Sequence, residues 1–152
     1  MKSLPKKTPG RLNEHDHIQR GARFITINAI NHYALFMKTE REARTGFLRS
    51  CLTSLGQIVD YEIQVLSRAH EGVSVDNYVI MPNHVHMILR VEGQEPQSAA
   101  DAARRAISGF KRAVSLKAGF SPWQKSYTEH EIRNRDAYWD FSHYIDVNPA
   151  RA

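Results

Sequence analysis

In Val73-Ser-Val-Asp-Asn-Tyr-Val-Ile-Met-Pro-Asn-His-Val-His-Met-Ile-Leu89, the apolar residues Val73, Val75, Tyr78, Val79 and Ile80 predict one strand, and Val85, Met87 and Leu89 predict a second. The two are separated by Pro82-Asn83, where the missing proline N–H marks a bulge or break in the ladder. On the N-terminal side, Leu55, Ile58, Val59, Ile63 and Leu66 fall on one face of an amphipathic helix that stops near His70-Glu71-Gly72. Before it, Arg23-Phe-Ile-Thr-Ile-Asn28 alternates and is β-branched, as a half-buried strand requires. Residues 34–52 are ambiguous, with Gly46-Phe47-Leu48 and Leu52 suited to a short strand or hairpin.

On the C-terminal side, a polar loop over 92–97 leads to Ser98-Ala-Ala-Asp101, which reads as a capping box with Asp in place of Glu. The helix it opens turns Ala103, Ile107, Phe110 and Val114 inward and Arg104, Arg105, Lys111, Arg112 and Lys117 outward, and Gly119 and Pro122 end it. A short strand is predicted around Trp123–Thr128, then a last helix capped by Asn134 or Asp136 and running to about Val147, closed by Asn148-Pro149. The order strand–helix–strand–strand–helix–strand–helix predicts an α+β fold. It is a ferredoxin-like or RRM-like sandwich, with one mainly antiparallel sheet and helices packed on one face.

The chain has 152 residues, which predicts a single domain over 23–152 preceded by a basic, flexible arm over 1–22 that contains Pro5, Pro9, Gly10 and Gly21. Lysine and arginine total 21 against 16 acidic residues, a net charge of +5 that excludes an acidic disordered chain and suits a polyanionic partner. The single cysteine, Cys51, excludes an internal disulfide and a thiolate zinc site, and points to a reducing, cytoplasmic setting. No apolar run approaches the ~20 residues of a membrane span, so no membrane partner is expected.

Chemistry concentrates at two places. His84 and His86 flank Val85 in a predicted strand, so both project from one face, where they are either a metal-binding pair or two surface histidines. Tyr144 and Asn148 stand at helical i, i+4 spacing, where a phenol and an amide oxygen converge on one point, although tyrosines also pack in many helices.

With these residues the sequence resembles the REP-associated tyrosine transposases, relatives of the insertion-sequence 200-like one-tyrosine transposases. Tyr78-Val-Ile-Met-Pro-Asn-His-Val-His-Met-Ile-Leu89 is similar to that family's histidine–hydrophobe–histidine segment. Gly109-Phe110-Lys111, Trp123-Gln124, Glu129-His130-Glu-Ile-Arg-Asn134 and Tyr144-Ile-Asp-Val-Asn-Pro149 follow its remaining landmarks in order. His-x-His alone is common; the string Met-Pro-Asn-His-x-His with a downstream Tyr-Ile-x-x-Asn-Pro is specific. Ala150 stands where the family has valine, and the sequence ends at Ala152, where relatives continue with residues that pack on the sheet or touch DNA.

The resemblance implies a metal-dependent single-stranded DNA endonuclease and strand transferase, with the tyrosine on a C-terminal helix. Tyr144 would be the nucleophile that forms a 5′-phosphotyrosine link. His84, His86 and Asn148 would hold Mg²⁺ or Mn²⁺, and Arg104, Arg105, Lys111 and Arg112 would contact the phosphates of hairpin, REP-type DNA. His130 and His143 are expected to be supporting residues, and Tyr127 and Tyr138 lie outside the Tyr-x-x-x-Asn-Pro context. Relatives include dimers with sites completed in trans as well as monomers, which leaves a homodimer open. A catalytically silent nucleic-acid-binding protein of the same fold is the competing expectation. A zinc hydrolase is disfavoured because no third ligand follows at a typical spacing.

Overall fold

The computed structural model describes residues 21–93 and 95–148. Most of the expected arm, and Pro149 with the residues after it, lie outside that range. Strands β1 (Ala22–Asn28), β4 (Val73–Met81), β5 (His84–Val91) and β6 (Thr128–Glu131) form one sheet in the order β4-β5-β1-β6, every neighbouring pair antiparallel. Helix α1 (Ser54–Ala69) connects β1 to β4, and α2 (Pro96–Ala118) connects β5 to β6, which is the ferredoxin-like split βαβ arrangement. Between β1 and α1, strands β2 (Met37–Arg41) and β3 (Leu48–Leu52) pair as a separate ribbon, so the ambiguous stretch holds a hairpin.

Alternation along the central strands decides the two faces. Ile25 and Ile27 of β1 and Val85, Met87 and Leu89 of β5 point to one side, where they meet Val59, Ile63 and Leu66 of α1 and Ala103, Ile107, Phe110 and Val114 of α2. All are buried, and each fully buried Ile or Leu contributes about 1.5–3 kcal/mol. The opposite face carries a smaller core of Ala22, Val79, Ile88, Ile132 and Ile145, packed with Phe24, Met81, Tyr138 and Phe141. That core belongs to helix α3 (Arg135–Asp146), which therefore lies across the sheet from α1 and α2. Helices thus cover both faces, two against one, because α3 has its own apolar stripe and the first face is already filled.

Local chemistry corrects several expected boundaries. Helix α2 begins at Pro96, not after Ser98: proline at the first helical turn has its φ preset and lacks an N–H that would be unpaired there. Pro82 sits in the two-residue link between paired Met81 and His84, while the bulge falls earlier, between Val75 and Asn77. Trp123 makes only an isolated bridge to Ala29, and the sixth strand runs over Thr128–Glu131. Helix α3 starts at its Asn134 cap, whose side-chain oxygen accepts from Ala137 N at 2.8 Å. It stops at Asp146, so Asn148 lies in the turn beyond it, its N–H donating to Ile145 O at 3.3 Å.

Candidate active site

Register places His84 opposite Asn28 and His86 opposite Thr26, on the two central strands of the sheet and on the face that α3 covers. The rings stand with Nε2 atoms 3.1 Å apart. Each ring is held from behind: His84 Nδ1 lies 2.7 Å from Asn83 Oδ1, and His86 Nδ1 lies 3.0 Å from Thr26 Oγ1. An amide oxygen only accepts, so His84 carries its proton on Nδ1 and presents a bare lone pair at Nε2. Burial, and then the nearby His32, hold the His84 pKa below the usual histidine range; burial, and then His84, push His86 down to about 4. Both shifts favour the neutral ring, and the two Nε2 atoms can share one proton or one cation.

The spacing fits a cation. Two donors about 2.1–2.2 Å from an octahedral ion, at right angles to each other, are about 3.0–3.1 Å apart. Among the described residues no further His, Cys, Asp or Glu groups with the pair as a third ligand. Remaining donors would be amide, phosphate or water oxygens, and Asn148 is in the turn that follows α3.

Tyr144 comes to the same place from α3. Its ring centroid is 5.5 Å from that of His86, edge to face, and the residue is 51% exposed. Phe24 completes the cluster, stacking on His86 at 5.0 Å and on Phe141 at 4.5 Å, with Tyr144 at 6.3 Å. A half-exposed phenol thus stands beside two imidazoles on the central strand β5. Sequence reasoning missed Thr26, Asn83 and His32, which orient or perturb the pair. Thr26 and His32 are far away in the chain and carry no motif. His32 follows Asn31 in the left-handed region (φ 57° and 53°), and the Nε2 atoms of His32 and Gln124 lie 3.3 Å apart.

The expected phosphate contacts are placed differently. Arg104, Arg105, Lys111 and Arg112 lie on α2, across the sheet from Tyr144. Arg105 and Arg112 are exposed, Arg104 pairs with Asp101 at 2.5 Å, and the Lys111 ammonium donates to the carbonyls of Gln124 and Lys125 at 3.0 and 3.2 Å. Burial lowers the Lys111 pKa, as befits a brace between α2 and the following loop. A cleft of about 570 Å³ opens on the α2 side as well, lined by Arg23, Glu92, Glu95, Glu129 and Glu131 among others, and shares no residue with the histidine–tyrosine cluster.

A solved REP-associated tyrosine transposase bound to a REP hairpin superposes on this chain with a TM-score of 0.55 and 23% identity, covering 98% of this chain and 73% of that one. This chain has the transposase fold. An uncharacterized protein of Haemophilus influenzae is 29% identical over 160 residues, covering 91% of this chain and 86% of that protein. No family model matches. In this chain β5 carries His84 and His86, and α3, the helix after β6, carries Tyr144. No described helix is long and apolar enough to cross a membrane.

Proposed function

We propose that this chain is a REP-associated tyrosine transposase, a metal-dependent single-stranded DNA endonuclease and strand transferase that acts on hairpin DNA through a 5′-phosphotyrosine intermediate. The observation that carries this is Tyr144 set 5.5 Å from His86, whose Nε2 is 3.1 Å from that of His84. The likeness in fold to a transposase solved with a REP hairpin supports the substrate class.

In this reading His84 and His86, with Asn148, hold Mg²⁺ or Mn²⁺. When bound, the ion polarises the scissile phosphate and offsets the charge that develops on it. Asn83 and Thr26 keep both rings oriented for that task. The Tyr144 phenol gives up its proton to solvent water as its oxygen bonds to phosphorus. The bond from phosphorus to the 3′ oxygen breaks with its electron pair, and that oxygen takes up a proton from water and leaves as a hydroxyl. The new ester conserves the phosphodiester energy, and a later 3′-hydroxyl can displace Tyr144 and join strands.

The test is to incubate the protein with labelled hairpin-bearing single-stranded DNA and Mn²⁺ and look for a denaturant-stable protein–DNA adduct. The adduct is expected to vanish in Tyr144→Phe and in EDTA. Binding without an adduct under Mg²⁺ and Mn²⁺ would favour a silent nucleic-acid-binding protein, and an adduct that survives Tyr144→Phe would assign the nucleophile elsewhere.

A further inference from the structure

Helix α3 is held to the sheet by a set of polar contacts that all start from one irregularity in β4. Val75 pairs with Leu89 and Asn77 with Ile88, so Asp76 is an extra residue between them. Strict alternation would send Asp76 to the α3 face and Asn77 into the core under α1 and α2. The bulge resets the alternation. Asn77 pairs with Ile88 of the α3-side core, and Asp76 and Asn77, though consecutive, both reach α3.

The helix meets them with one stripe. Tyr138 Oη donates to Asp76 Oδ2 at 2.5 Å; Asn77 Nδ2 donates to Ser142 Oγ at 3.1 Å and to Asp146 Oδ1 at 3.0 Å. Tyr138, Ser142 and Asp146 are spaced i, i+4, i+8 and so form a single line along α3. Asp76 is anchored in turn by Arg90 of β5, at 3.1 Å. Burial, and then the bond to Asp76, raise the Tyr138 pKa, which keeps its phenol protonated and a donor. Buried Ile145 forms the apolar keel, and Phe141 and Tyr144 lie on the other flank against Phe24 and His86. An apolar keel alone resists separation but resists rolling about the helix axis weakly, because apolar contact is non-directional. Directional bonds along one flank fix the roll, and the roll decides whether Tyr144 meets His86.

We infer that Asp76 and Asn77, turned to one side by the β4 bulge, are positioning residues that set the rotation of α3 and thereby the approach of Tyr144 to the histidine pair. This rests on the functional reading above, since it assigns Tyr144 as the nucleophile. Asn77 and Arg90 have interactions besides these, and the inference concerns the contacts to α3.

The test uses the full-length chain, hairpin-bearing single-stranded DNA and Mn²⁺, and reads two quantities separately: the single-turnover rate of adduct formation at saturating DNA, and the hairpin dissociation constant. Asn77→Asp replaces the donor amide by a carboxylate facing Asp146, and Tyr138→Phe removes only the hydroxyl. Each is expected to slow adduct formation by about tenfold to a hundredfold, as a misplacement near 1 Å does, with DNA affinity unchanged. The exchanged pair, Asn77→Asp with Asp146→Asn, restores one donor and one acceptor across the same gap and is expected to recover most of the rate. Wild-type rates in both single variants would overturn the inference, as would a rate and affinity that fall together, or an exchanged pair no faster than Asn77→Asp. An absence of adduct from the wild-type chain would instead overturn the functional reading, and this inference with it.

Discussion

His86 sits in an environment far from that of a free side chain. It is 8% exposed, stacked on Phe24, and depressed to about pKa 4 first by burial and then by His84. The unfolded chain takes up a proton there near pH 6.5, whereas the folded chain resists until about pH 4, so between these values the unfolded state binds more protons. Stability is therefore full above about pH 6.5 and falls as the pH drops toward 4, by up to about 3 kcal/mol. Urea unfolding in EDTA at pH 7 and at pH 4.5 should show a larger loss for the wild type than for His86→Gln; equal losses would exclude the assignment. The motif around His84 and His86 was readable because a two-residue alternation needs no partner to be recognised. Thr26, which holds His86 from behind, was not, since only the pairing of β1 with β5 brings it there.

Among the elements, α1 shows how a local preference yields to packing. Thr53 caps it, its hydroxyl accepting from Gly56 N at 3.0 Å and donating to Leu35 O at 2.7 Å. Gly56 then lies in the first turn, where alanine would be favoured by about 1 kcal/mol on propensity. A Cβ at that position would stand 2.1 Å from the Phe36 carbonyl oxygen and 3.2 Å from Leu52 Cβ. Gly56→Ala is thus expected to destabilise the protein by about 1–3 kcal/mol, as overpacking against backbone does. A higher urea midpoint for this variant would contradict the close approach. The helices were legible from their apolar spacing, and their starts less so: the capping-box string marked an opening at Ser98, whereas the helix begins two residues earlier at Pro96. Strand β6, Thr-Glu-His-Glu, has no apolar alternation to read because it is an exposed edge strand.

Across the whole molecule, the sheet separates two surfaces of different character. The histidine pair and Tyr144 occupy the α3 face, and the exposed guanidinium groups of Arg105 and Arg112 belong to α2 on the other. A nucleic acid that engages both layers must pass around an edge of the sheet. If Arg105 and Arg112 contact phosphates, replacing either with alanine should weaken hairpin binding and lower the slope of log K against log salt by about one. An unchanged slope in both variants would place the DNA elsewhere on the surface.

Local spacing and composition were enough to read an α+β chain, the order of its sheet strands and α-helices apart from the β2–β3 hairpin, and a set of candidate site residues, because periodicity and motif strings are properties of neighbours in sequence. Three things came from packing over long separations: the face on which α3 lies, the 3.1 Å meeting of the two histidines beneath Tyr144, and the use of Asp76 and Asn77 as a grip on that helix. Two consecutive polar residues in a strand pattern look like any exposed interruption. Their role exists only once an extra residue in β4 turns both toward a helix that begins more than fifty positions later in the chain.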